Sequence, residues 1–169
     1  MATDGEIIDL VGADRERALP VLRDGFTGVY RWHAKKTLGE VDRVRALVLA
    51  QEVVGVTLLA GLVPDVGYLY YISVATAQRG KGVGGRLLDD AIAIFNEEGR
   101  TVAYVATEPE NMAMVAALRR RGFREVERKE LGFAEGGLGA WGLRSRMTLV
   151  WGEILMGRRL RPQSSKPGV

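Results

Sequence analysis

Apolar and polar positions along the chain fall into a regular succession of β-type and helix-type periods. Residues 44–50 and 53–62 are β-branched and apolar and meet at Gln51-Glu52, which predicts a hairpin. A turn at 64–67 leads into a third such strand at 68–74. From 82 to 98 the period changes: Val83, Leu87, Leu88, Ala91, Ile92 and Phe95 recur at helical spacing, and Gly99 is placed to close the helix. Residues 101–106 form an apolar strand ended by Pro109, and Asn111 opens a short helix that runs to Arg121 and stops at Gly122. Upstream, 6–11 reads as a first strand, 15–26 as a helix capped at Ala13-Asp14, and 29–38 as a weaker helix. Downstream, 123–133 resumes a strand, 134–142 is a glycine-rich loop and 144–151 alternates as a last strand. The order is β, α, α, β, β, β, α, β, α, β, β, an α/β chain with a mixed sheet and helices on both faces. No repeat or linker divides it. A single domain over 1–157 with a basic, disordered tail over 158–169 is expected.

The chemistry concentrates where the strand 68–74 gives way to Arg79-Gly80-Lys81-Gly82-Val83-Gly84 and then to the helix. Glycines between a strand end and a helix start expose backbone N–H groups at the positive end of the helix dipole, a cradle for a diphosphate. A bare reading of Gly80-x-Gly82-x-x-Gly85 also satisfies the dinucleotide fingerprint, with Glu108 about twenty residues on as a ribose-binding acid. Three features argue against that reading. Ala75 to Arg79 intervene between Val74 and the first glycine, an arginine sits inside the turn, and the motif lies in mid-chain. A Walker loop fails because no Gly-Lys-Ser/Thr follows.

Arg79-x-x-Gly82-x-Gly84, followed by Leu87 and Leu88, resembles the acetyl-CoA loop of the GCN5-related N-acetyltransferase (GNAT) family. Asn111, with Gly122-Phe123 and then Arg124 beyond it, is similar to that family's second segment. The resemblance implies a mostly antiparallel sheet whose fourth and fifth strands splay apart to admit a pantetheine arm. It assigns the backbone of Gly80, Lys81, Gly82, Val83 and Gly84 to the pyrophosphate, with charge from Arg79. It also implies that Ile72 and Val74 pair main chain to main chain with pantetheine and that Asn111 stands near it. For Asn111 an N-cap role is the competing reading. The arginine run 119–121 reads either as a contact for the 3′-phosphate of CoA or as a solvated face.

Two departures from the family pattern stand out. Where many members carry a tyrosine that protonates the departing thiolate, this chain has Leu118, expected over the thioester. Where the histone-modifying branch has a glutamate base, it has Tyr68. Glu108 at the end of the fifth strand is therefore the first candidate base, followed by Tyr70 and His33. Each also has a plain structural role, as a surface carboxylate, a packed aromatic and a helix-surface imidazole.

Composition narrows the rest. The 169 residues, 47% hydrophobic and 27% charged, suit one folded domain with a sizeable core. A net charge of +3 favours an anionic cofactor but is too small to point to nucleic acid. One histidine and no cysteine argue against a metal site and fit a cytoplasmic protein. The acidic N-terminus is unlike a signal peptide, and no apolar run is long enough to span a membrane. The reading is an acetyl-CoA-dependent N-acetyltransferase moving acetyl directly to a primary amine: a protein N-terminus, a lysine or a small molecule. A non-catalytic acyl-CoA-binding module is the alternative, and a homodimer is left open.

Overall fold

The hairpin at the centre of the sequence forms as its alternation dictates. In the computed structural model, which describes residues 5–127, 130–131, 146–147 and 152–160, strands β2 (Arg43–Leu49) and β3 (Glu52–Val63) pair antiparallel from Arg43↔Leu59 to Leu49↔Glu52. The register slips by one residue between Leu47 and Val48. Ala50 and Gln51 make the tight turn with positive φ (47° and 71°), the conformation a two-residue hairpin with right-handed twist requires. Strand β1 (Glu6–Asp9) adds antiparallel to β2, and β4 (Val66–Val74) follows β3. The remaining strands are β5 (Val102–Thr107), β6 (Arg124–Glu125) and β7 (Ile154–Arg159). Together they form a seven-stranded sheet of order β1-β2-β3-β4-β5-β7-β6, antiparallel except for the β4–β5 neighbours. Four α-helices are bounded within the described residues: α1 (Leu19–Gly25), α2 (Gly28–Glu40), α3 (Val83–Glu97) and α4 (Met112–Arg120).

The chain divides into two compact units, 1–60 with 69–91, and 61–68 with 92–169. In the first unit the alternation of the strands builds two apolar layers. Leu10, Ala18, Val21, Leu22, Ala34, Leu38, Val44, Ala46, Val56 and Leu58 join the sheet to α1, α2 and the 3-10 turn Gly12–Ala18. On the other layer Leu47 and Val54 meet Val83 and Leu87 of α3, with Ile72 and Val74 packed against them. Gly55 permits this approach, since a Cβ there would stand 2.7 Å from the Val83 side chain. Arg45 also reaches α3, forming a bidentate pair with Asp90 (2.9 and 2.8 Å).

In the second unit β5 pairs antiparallel with β7 from Val102↔Arg159 to Thr107↔Ile154, and β6 pairs with β7. Gly67 makes room for the Phe95 ring, and Gly157 for the Tyr104 ring. Asp65 carbonyl accepts from the backbone N–H of Thr101 (2.9 Å) and Val102 (3.2 Å), fixing where β5 begins. Among the described residues no helix is long and apolar enough to cross a membrane.

Four expectations change. The first helix is preceded by the 3-10 segment Gly12–Ala18 and starts only at Leu19, where Pro20 sits in the first turn without losing a needed N–H. The strand expected over 123–133 is limited to Arg124–Glu125, and Leu131 is helical. Of the expected strand 144–151 only Arg146 and Met147 are among the described residues, in helical and turn conformation; the pairing strand is β7. Arg158 and Arg159, set with the tail by sequence, belong to β7, and Leu160 beyond them is buried. The glycine at 157 breaks the strand pattern in the sequence, yet the bare backbone is what the Tyr104 ring needs. The loop expected over 134–142 lies outside the described residues.

Candidate active site

The glycine turn has the conformation that its residue types predict. Gly80 and Gly82 adopt positive φ (74° and 86°), and among the described residues no heavy atom lies within 4 Å of a Cβ built on either. Arg86 N–H donates to the Gly82 carbonyl (3.1 Å), which makes Gly82 the N-terminal cap of the fifteen-residue α3. The N–H groups of Val83 and Gly84 have no turn of helix behind them to donate to, and the helix dipole favours an anion at that end. Gly84 is helical, with space for a Cβ at 3.7 Å from Val74 Cγ2. The arrangement fits a diphosphate held by main chain.

Strand β4 supplies a second main-chain feature. Ala75 N–H donates to the Val54 carbonyl (2.9 Å), so Ala75 turns its N–H toward β3, while its carbonyl accepts from Gln78 N–H (2.8 Å). Backbone groups of successive strand residues point to opposite edges. Those of Val74 and Ile72 therefore point away from β3, the direction an added extended chain would need. Arg79 Nε donates to the Val74 carbonyl from that side at 3.1 Å, which ties this side chain to the strand end instead of leaving it over the glycines.

Two bonds fix this strand end to α1. Ser73 Oγ, buried, donates to the Val21 carbonyl (2.9 Å), and Asp24 accepts from Thr76 N–H at 2.6 Å. That backbone hydrogen bond holds the Asp24 carboxyl below the usual carboxylate range, with the nearby Arg79 charge adding to it. Asp24 thus anchors the short 3-10 turn Thr76–Gln78 that leads into the glycines. Sequence reasoning missed it, because its partner lies 52 residues away and Asp near a helix end reads as ordinary solvation.

The three catalytic candidates end up in different surroundings. Tyr70 and Tyr71, although consecutive, both pack against the core layer that holds α1 and α2, whereas Ile72 and Val74 pack against the α3 layer. Two neighbours on one face mean that the strand's alternation slips there, as at a β-bulge. His33 of α2 meets Tyr71: its Nδ1 is 2.6 Å from the Tyr71 hydroxyl, and Thr37 Oγ1 is 3.3 Å from the same nitrogen. Phe26 packs edge-on against the Tyr71 ring, with centroids 5.0 Å apart. Partial burial pushes the His33 imidazole below its ordinary pKa, Lys36 pushes the same way, and Glu40 opposes them.

Glu108 and Asn111 belong to the second unit. Glu108 is exposed just beyond β5, and its carbonyl accepts from Asn111 N–H (3.0 Å). Asn111 is the N-cap of α4, with its side-chain oxygen accepting from Met114 N–H (3.3 Å). The departures from the family pattern are core residues here. Leu118 is fully buried, which corrects the expectation of a place over a thioester. Tyr68 is also buried, and its hydroxyl donates to the Met147 carbonyl (3.1 Å). A groove of about 510 Å³ in this unit, lined by Asp65, Tyr104, Arg124, Glu130 and Arg159 among others, contains none of the predicted site residues.

Residues 14–123 match the model of the acetyltransferase (GNAT) family, and the chain belongs to that family. It is accordingly an acetyltransferase. Its fold is similar to that of the ribosomal-protein-S18-alanine N-acetyltransferase from Escherichia coli, with a TM-score of 0.71 at 17% identity over 98% of this chain and 99% of that one. A GNAT family acetyltransferase from Elizabethkingia anophelis, with acetyl-CoA bound, gives 0.69 at 16% identity over 93% of this chain and 99% of that one. The ribosomal-protein-alanine N-acetyltransferase from Brucella melitensis gives 0.65 at 21% identity over 92% of this chain and 99% of that one. No curated protein sequence matches the chain.

Proposed function

We propose that this protein transfers the acetyl group of acetyl-CoA directly to a primary amine. The observation that carries this reading is the sequence of main-chain features along one unit: backbone groups of Ile72 and Val74 turned away from β3, then positive-φ Gly80 and Gly82 at the head of α3. The first suits a pantetheine arm laid down as an added strand, and the second suits the pyrophosphate. Lys81 and Val83 contribute main chain to the same turn, Gly84 allows close approach, and Arg79 offers a charge at its edge. Asn111 holds the start of α4, so its part in cofactor binding is indirect.

Direct transfer requires a neutral amine held in line with the thioester and a route for the proton it sheds. For the acceptor we put a protein N-terminus first, ahead of lysine and small amines, since two of the similar folds belong to enzymes named as ribosomal-protein-alanine N-acetyltransferases, and alanine has no side-chain amine to accept the group. The test is release of CoA thiol from acetyl-CoA in the presence of an alanine-led peptide with a free amino group, an Nα-blocked lysine and spermidine. Turnover with a primary amine is expected. Tight binding of acetyl-CoA without turnover on any of them would favour the acyl-CoA-binding module.

A further inference from the structure

We propose that Tyr71 and His33 form the pair that takes the proton from the acceptor amine, with the Tyr71 hydroxyl facing the amine and His33 receiving the proton behind it. The inference rests on the reading above, in which the pantetheine arm follows β4 from Val74 to Ile72. One more residue along the strand, about 3.3 Å, brings the reacting end to Tyr71. There the slip in alternation turns Tyr70 and Tyr71 onto the face that carries α1 and α2.

The geometry is specific. A phenol and an imidazole 2.6 Å apart are at hydrogen-bonding distance for proton transfer, and the Phe26 ring holds the phenol in place. With its proton on Nε2, His33 accepts the Tyr71 hydrogen at Nδ1. The groups that face the imidazole are Lys36, Thr37 and Glu40 on its own helix and Tyr71 on β4, with Phe26 behind the Tyr71 ring. Burial and Lys36, against Glu40, lower its pKa and so favour the neutral form that a proton acceptor must have.

In the step this requires, a C–N bond forms between the amine nitrogen and the acetyl carbon, and the C–S bond breaks with its electron pair on sulfur. The proton lost by nitrogen passes to the Tyr71 oxygen as the Tyr71 proton moves to His33 Nδ1. Imidazolium and thiolate then neutralise through solvent, so no further reactant is needed.

His33 is the sole histidine of the chain, so its imidazole resonances are assignable without ambiguity. In the free protein, NMR should show Nδ1 as the unprotonated nitrogen, a titration below the ordinary histidine range, and a shift of that titration in Tyr71→Phe. In turnover with the alanine-led peptide, or in hydrolysis of acetyl-CoA by water if no amine is accepted, Tyr71→Phe should lower kcat about 10²-fold with KM for acetyl-CoA nearly unchanged. His33→Asn keeps a hydrogen-bonding group beside Tyr71 and should flatten the acidic limb of the pH–rate profile. The double variant should be no slower than Tyr71→Phe, because the two act as one unit. Thermal unfolding checks that each variant is folded. A protonated Nδ1 indifferent to Tyr71→Phe, or a folded Tyr71→Phe with full kcat, overturns the pair. So does a pH limb that persists in both variants and disappears in Glu108→Gln. Failure to bind acetyl-CoA at all would instead overturn the reading on which the pair rests.

Discussion

Gly84→Ala separates what the protein needs at the head of α3 from what a ligand needs there. Unlike Gly80 and Gly82, Gly84 has a helical backbone, and a Cβ on it would rest 3.7 Å from Val74 Cγ2, an ordinary van der Waals contact. Among the described residues nothing therefore demands glycine at this position. Alanine removes conformational freedom from the unfolded chain and should stabilise by about 0.4–1 kcal/mol. For a chain of 169 residues that corresponds to a rise in Tm of roughly 1–4 °C. If the backbone at Gly84 touches the pyrophosphate, the same methyl occupies space the ligand uses. Overpacking of that kind costs about 1–3 kcal/mol, which weakens binding of acetyl-CoA about 5- to 150-fold. Scanning calorimetry of the free protein and titration calorimetry with acetyl-CoA measure the two effects independently. Opposite signs are expected: a higher Tm and a weaker complex. A higher Tm with unchanged affinity would remove Gly84 from the cradle, and a lower Tm would refute the steric reasoning itself.

Restoring the family's usual acid should fail. Leu118 is fully buried, so Leu118→Tyr overpacks the core of α4 and should cost about 1–3 kcal/mol, seen as a lower Tm with no gain in thiol release. Stability should also depend on His33. Its folded pKa is depressed, chiefly by burial, so the unfolded chain binds the proton more readily, and stability falls as pH drops through the ordinary imidazole value near 6.5. Unfolding measured between pH 7.5 and 5.5 should show this slope in the parent and a shallower one in His33→Asn.

The sequence was most legible where local rules govern the backbone. The β2–β3 hairpin, α3 with its apolar stripe, and the cap of α4 at Asn111 could each be read from residues close together. The conformation of the glycine turn belongs to the same class, since Gly80 and Gly82 adopt the left-handed conformation that glycine-rich turns exist to supply. What escaped depends on pairs distant in sequence. Tyr71 is 38 residues from His33 and Asp24 is 52 from Thr76, and neither residue carries a local sign of its partner. Strict alternation would set Tyr70 and Tyr71 on opposite faces, and the slip between them, which leaves no sign in the sequence, puts both on one. Strand β7 was displaced because Gly157, a poor strand residue by composition, is placed by the ring it faces.

The central claim is that acetyl-CoA is held by main chain at the head of α3, and calorimetric titration of acetyl-CoA into the parent and into Gly82→Asp tests it most directly. Gly82 has φ of 86° and open space beside it, so aspartate there adds backbone strain and sets a negative charge against a diphosphate. The account predicts clear binding by the parent and a loss of at least about 30-fold in a variant that still unfolds cooperatively. A folded Gly82→Asp protein that binds acetyl-CoA as tightly as the parent would contradict it.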